Sequence, residues 1–281
     1  MQLEKKILKG NQILENLETI IGRNYLHFEI KGLTRPTRDI LDQVIQGILG
    51  RIEANPLASF HLFSGLMEAL LNAVKGNLRH IIFRDELYQK LIHSDSDSPV
   101  TKEEAEELLA VILDTSPLRD AMQRYVVPDK LKKTVQRILQ LQDKIRNKNK
   151  TLSFQDQEFL REARAKIQKD ERKISLKIKL SETELYMRIR NDSPILGMDL
   201  KRIEDSRVKH AELAKAGNSA DFFRPDFLDE KESAGFGIAM IDEGFYNMGI
   251  DPMEYFHLIS SNHVTTAYMT YPIKDLQRMD F

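Results

Sequence analysis

The sequence predicts an α/β protein with strands toward both ends of the chain and an all-helical stretch between them. Residues 25–31 alternate Leu26, Phe28 and Ile30 against His27, Glu29 and Lys31, the period of a half-buried strand. Ile174, Leu176, Ile178 and Leu180 alternate with Ser175, Lys177 and Lys179. Past the polar turn 181–184, Leu185, Met187 and Ile189 alternate with Tyr186, Arg188 and Arg190. Two such runs about a short turn make an antiparallel hairpin with one buried face. From about residue 86 to 172 the apolar residues recur instead at three- and four-residue spacing, which is helical.

Taken in order, Leu3, Ile7, Leu14, Leu17 and Ile21 line one side of a helix that Gly22 closes. After the first strand and the break at 32–36, Ile40, Val44, Ile48 and Leu49 build a second helix to about Glu53. Pro56 interrupts before the next helix, and His80-Ile-Ile-Phe83 reads as a short strand. In the helical stretch, 94–98 is a polar linker, and Thr101 with Glu104 has the spacing of a capping box. Pro117 and Pro128 separate further pieces. Leu131, Val135, Ile138, Leu141 and Ile145 form a clear stripe, and Ser153 with Asp156 opens another helix. The glutamates of 103–107 and lysines of 144–150 are solvated helix surface. Beyond the hairpin, a helix is expected over 198–213, a loop over 217–225, and a helix carrying Ile238, Ile241, Phe245 and Met248, ended by Gly249. Residues 255–259 and 264–273 read as two closing strands.

A chain of 281 residues and 32.6 kDa can bury a sizeable core in one large domain or two small ones. With 41% apolar and 30% charged residues it has the composition of a globular protein. The formal net charge of −1 gives no electrostatic argument for nucleic acid as a partner. No apolar run reaches the ~18 residues of a membrane span, so no membrane partner is expected. The N-terminus lacks a signal-peptide core, and cysteine is absent, which removes disulfides, thiol nucleophiles and Cys-based zinc sites. A cytoplasmic protein is the expectation. The histidines (His27, His61, His80, His93, His210, His257 and His263) include no helical pair at ligand spacing, so no metal site is built from them. Ser64-Gly65 and Ser233 lack a nucleophile-elbow context.

The stretch 63–77 organises the rest. Phe63, Leu66, Met67, Leu70, Leu71 and Val74 form the apolar stripe of a helix. Glu68, Asn72 and Lys75 stack along one line across from it, and Gly76-Asn77 offers a left-handed stop. By spacing alone that polar line is a solvated face. The run Glu68-Ala-Leu-Leu-Asn72-Ala-Val-Lys75-Gly-Asn77 resembles the asparagine helix of the GHKL (histidine-kinase-like) ATPases. The family's later boxes have counterparts in order. Tyr186 to Ile195 stands at the first glycine box. Glu232-Ser-Ala-Gly235-Phe-Gly237-Ile-Ala-Met240 resembles the second. His263-Val-Thr265-Thr266, running on to Pro272, resembles the Thr-bearing strand.

The resemblance covers about 1–84 and 173–281, with 85–172 as a helical insertion. It implies a two-layer sandwich of a mixed sheet with helices on one face. It also implies ATP and Mg2+ as ligands: Asn72 on the metal, Lys75 near the phosphates, Gly235 and Gly237 beside them, Asn191 facing adenine, and Glu68 as the base. Glycines let backbone amides approach phosphate oxygens where a helix N-terminus adds its dipole. The first box departs from the family. Asn191 replaces the Asp that receives the adenine amino group, Asp192 is one residue late, and Ser193 and Ile195 replace glycines. No phosphoacceptor histidine motif occurs, so a substrate would lie on a separate protein partner; a homo-oligomer is left open. The resemblance leaves enzyme activity open. It implies a signalling or regulatory protein that binds ATP and phosphorylates or sequesters a partner. The alternative is a nucleotide-free pseudo-ATPase acting as an interaction scaffold or anti-sigma-type switch.

Overall fold

The computed structural model describes residues 8–93, 100–122, 128–146, 152–195, 197–224 and 233–278. Leu3, Ile7, the linker 94–98, the end of the basic run at 147–150, Pro225 and Glu232 lie outside them. The elements run α1 (Gly10–Glu15), α2 (Leu17–Ile21), β1 (Tyr25–Ile30), α3 (Arg35–Arg51), α4 (Pro56–Ile92), α5 (Lys102–Asp114), α6 (Ser116–Met122), α7 (Pro128–Arg146) and α8 (Phe154–Lys169). They continue with β2 (Ile174–Leu180), β3 (Glu184–Asn191), α9 (Gly197–Lys215), a 3-10 turn (Ser219–Phe223), α10 (Ser233–Asn247), α11 (Pro252–Tyr255), β4 (Phe256–Ser260), β5 (Thr265–Pro272) and α12 (Ile273–Leu276).

The five strands form one sheet in the order β1-β2-β3-β5-β4, so the protein is α/β, and every pairing is antiparallel where a mixed sheet was expected. The reason is connectivity. The crossover through α9 and α10 brings β4 back in the direction of β3, and β5 then turns between them. Rows of inward side chains cross the sheet in register. Leu26, Ile178, Met187, Met269 and Phe256 form one row, and Phe28, Leu176, Ile189, Ala267 and Leu258 the next. These pack on α3, α4 and α10 in a core that includes Leu41, Val44, Ile45, Leu62, Leu66, Leu70, Ile241 and Phe245. Phe245 stacks on Tyr271 at 4.6 Å between ring centroids. Each fully buried Leu, Ile or Phe contributes roughly 1.5–3 kcal/mol.

Helix α4 is the axis of the molecule. Between positions 61 and 83 only Ser64 is exposed, the mark of a helix enclosed nearly all round. It is the one helix among the described residues long and apolar enough, at a mean hydropathy of 1.3, to cross a membrane; here its apolar side chains are the protein's own core. Two expectations fail on this helix. Gly76-Asn77 does not stop it, and His80-Ile-Ile-Phe83 is helix rather than strand. The apolar stripe instead continues through Leu78, Ile82, Phe83 and Leu87 into a second core. There these residues meet Leu109 of α5, Leu131, Val135, Ile138 and Leu141 of α7, and Leu160 of α8. The position 84/85 therefore lies inside a continuous helix shared by both cores. Within the helical segment the capping signals hold. Thr101 Oγ1 accepts from the Glu104 amide at 3.2 Å, and Ser153 Oγ from that of Asp156 at 3.2 Å.

On the far side, α9 and α10 are joined by a buried pair. Arg207 Nε and Nη2 donate to Asp242 at 2.8 and 2.9 Å, and Nη2 also reaches the carbonyls of Pro252 and Phe256 at 3.1 Å. Burial raises the Asp242 carboxyl, and the Arg207 hydrogen bonds oppose that rise. Gly249, at φ 68°, ends α10 as expected.

Candidate functional site

Helix spacing sets Glu68, Asn72 and Lys75 on one line of α4, and α10 lies along that line. The contact is close at Gly237, in the first turns of α10. A Cβ there would stand 2.2 Å from Glu68 Oε1 and 3.0 Å from Asn72 Nδ2. Residues some 165 positions apart in sequence thus come together because α4 offers a polar strip and α10 offers a side with no side chain at that point. Gly235 lies in the same helical start, so both glycines are inside α10 rather than in a loop before it. Lys75 Nζ stands 3.9 Å from Glu68 Oε1, with the lysine half exposed and the glutamate largely covered. Asn72 Nδ2 is buried with no hydrogen-bond partner. An unsatisfied amide of this kind costs about 1–3 kcal/mol, and an added acceptor would recover it.

Asn191 is next along the same helix. It packs over Gly76, where a Cβ would be 3.2 Å from Asn191 Nδ2. Its amide donates to Asn77 Oδ1 at 3.3 Å and to the Ser193 carbonyl at 3.1 Å. Ser193 Oγ donates to Asn77 Oδ1 at 2.7 Å, and Thr265 Oγ1 to the Ser193 carbonyl at 2.8 Å. Ser260 Oγ lies 3.2 Å from Thr265 Oγ1 and accepts from the Ile195 amide at 2.7 Å. The register explains this network. The third inward row of the sheet is Ile30, Ile174, Asn191, Thr265 and Ser260, apolar for two strands and polar for three. Asn191 and Ser193 are buried, at 5% and 0% exposure, so the network seals that end of the sheet against α4.

The structure therefore brings Glu68, Asn72, Lys75 and Gly237 into one cluster and sets Asn191 beside it, one helical turn on, with both amide hydrogens engaged. Asn77, Ser193, Thr265 and Ser260 were not read from the sequence as one group. The signal lay in strand phase: Asn191 and Thr265 share the inward parity of their apolar neighbours. Also unforeseen is a cleft of about 280 Å³ where α4 and α5 meet the loops at 194 and 262–263, lined in part by His80, Arg84, Arg172 and His263. Burial first, and then the cations of Arg172, Arg119 and Arg84, lower the His80 imidazole to about 3. At its rim Arg84 pairs with Glu106 at 2.9 Å, and His263 Nε2 lies 3.1 Å from Asp114. Among the described residues no group of three or more His, Asp or Glu side chains gathers as a metal site.

Comparison with family models, curated proteins and solved structures gave no match.

Proposed function

We propose that this chain is a cytoplasmic regulatory protein built on a histidine-kinase-like domain, with a phosphate-side nucleotide site between α4 and the start of α10. The observation that carries the reading is the meeting of Asn72 and Glu68 with Gly237, since these belong to two separate motifs that in the resembled family face one nucleotide. The buried, unpartnered amide of Asn72 fits an anionic ligand. As oriented it donates to a phosphate oxygen, and with the amide turned its oxygen faces a magnesium ion. Magnesium, when bound, supplies charge neutralisation at the phosphates. Lys75 would add a second cation there, and Glu68 is the carboxylate positioned as a base. With Glu68 against Gly237, entry of a triphosphate requires α10 to shift away from α4 at its start. A protein partner, phosphorylated or sequestered, would read that shift.

A second reading is a nucleotide-free pseudo-ATPase acting as a scaffold or anti-sigma-type switch. Asn191 favours it, because the position that would meet adenine is buried and already bonded to Asn77 and Ser193. Calorimetric titration of ATP into the full chain, with magnesium and with a chelator, separates the two. Weak, magnesium-dependent heat supports the site, and no heat with magnesium supports the scaffold.

A further inference from the structure

The sheet face turned away from α4 bears side chains of a different kind. Among the described residues the helices pack on the inner face, and the outward positions form rows in register across the strands. One row is His27, Lys177, Arg188, Tyr268 and His257, spanning all five strands. The adjoining row is Tyr25, Lys179, Tyr186 and Thr270. Neither row contains a carboxylate. Lys177 stands directly opposite Arg188, a like-charge pairing that disfavours the sheet unless something offsets it. Arg190 adds a fourth cation in the next row. The carboxylates of this face sit at its margins: Glu184 at the start of β3, Glu29 on edge strand β1, where Lys173 holds it at 3.0 Å, and Asp192 just past the end of β3, 4.0 Å from Arg190. Tyr25 is 53% exposed, and Lys179, Arg190, His27 and His257 are also exposed. The rings of Tyr186 and Tyr268 lie 6.3 Å apart, side by side on neighbouring strands. Arg188 Nε is buried beneath this surface without a hydrogen-bond partner.

From this arrangement we infer that the outer face of the sheet binds single-stranded nucleic acid. The cations Lys177, Lys179, Arg188 and Arg190 would neutralise phosphates, and Tyr25, Tyr186 and Tyr268 would stack bases. The whole-chain charge of −1 hides this patch because acids elsewhere cancel it. An open sheet with aromatic rings between cations suits unpaired bases, whose π-faces stack on rings whatever the sequence. An acidic polypeptide would meet the same cations but leave the three tyrosines without a role. The inference is independent of the nucleotide site on the opposite side of the sheet.

The test is fluorescence anisotropy of labelled (dT)15 and U15 oligonucleotides with the full chain across a salt series, with polyglutamate as competitor. Four phosphate contacts give a slope of log K against log salt of about −3 for a single strand. Lys179→Ala with Arg190→Ala, at exposed positions, should bring the slope to about half. Tyr186→Leu and Tyr268→Leu should each weaken binding about tenfold while preserving the circular dichroism spectrum. The inference is overturned by absent binding at low salt, or by affinity insensitive to the tyrosine variants. Competition by polyglutamate as strong as by unlabelled oligonucleotide would overturn it as well.

Discussion

Substituting Gly237 by alanine probes the contact on which the site depends. The added Cβ would lie 2.2 Å from Glu68 Oε1, 3.1 Å from Glu68 Cδ and 3.0 Å from Asn72 Nδ2, all inside ordinary contact of 3.4 Å or more. Glu68 can swing aside and leave Lys75, a pair half open to solvent that is worth at most about 1 kcal/mol. Asn72 has less freedom, because its Nδ2 is already buried. Overpacking of this kind costs about 1–3 kcal/mol. Alanine in place of glycine within a helix returns up to about 1 kcal/mol. The net expectation is a loss of about 1 kcal/mol, seen as a fall of roughly 2–4 °C in Tm for a chain of this size. In a Glu68→Ala background the closest clash disappears and only the 3.0 Å approach to Asn72 Nδ2 remains, so Gly237→Ala should cost less and come near neutral. A urea-unfolding double-mutant cycle should therefore give a coupling of about 1 kcal/mol. Additivity to within about 0.5 kcal/mol would show that α10 does not rest on Glu68.

Two further outcomes follow from buried polar groups. Asn191→Asp installs the residue of the resembled family, yet places a carboxylate against Asn77 Oδ1 and the Ser193 carbonyl, both acceptors. It should cost about 1–3 kcal/mol in chemical unfolding at pH 7, and an unchanged midpoint would contradict the network. His80 is held neutral in the folded protein, its imidazole lowered to about 3 by burial and by the nearby arginines. The unfolded chain takes up that proton below its ordinary value of about 6.5. The contribution of His80 is thus fully present above about pH 6.5 and is lost as pH falls toward the folded value, by at most about 1.4 kcal/mol per pH unit. Urea midpoints at pH 7, 5.5 and 4 should fall more steeply for the natural chain than for His80→Gln. Equal slopes would contradict the assignment.

β1, β2 and β3 were legible because each alternates on a half-buried face, and β4 and β5 fall in the two stretches read as closing strands. Capping residues marked α5 and α8 for an equally local reason. The length of α4 was not legible. Gly76-Asn77 carries the chemistry of a helix stop, but both residues serve tertiary contacts. Gly76 makes room for Asn191, and the Asn77 side chain bonds to Asn191, Ser193 and the Lys173 carbonyl instead of capping. His80-Ile-Ile-Phe83 is β-rich locally, but its apolar residues continue the helical stripe into the second core. The polar line Glu68-Asn72-Lys75 reads by spacing as a solvated face. It is α10, distant in sequence, that meets it at Gly237. The antiparallel course of the whole sheet depends on where the crossover through α9 and α10 returns the chain, which no local pattern encodes.

The central claim is that Asn72, facing the start of α10, holds the phosphate end of a nucleotide with magnesium. Titration calorimetry of ATP and GTP with magnesium into the natural chain and Asn72→Ala, with Tm recorded for both, tests it most directly. The account predicts weak binding with little preference between the two bases, abolished by Asn72→Ala while Tm is retained. Tight, adenine-selective binding that survives Asn72→Ala would contradict it.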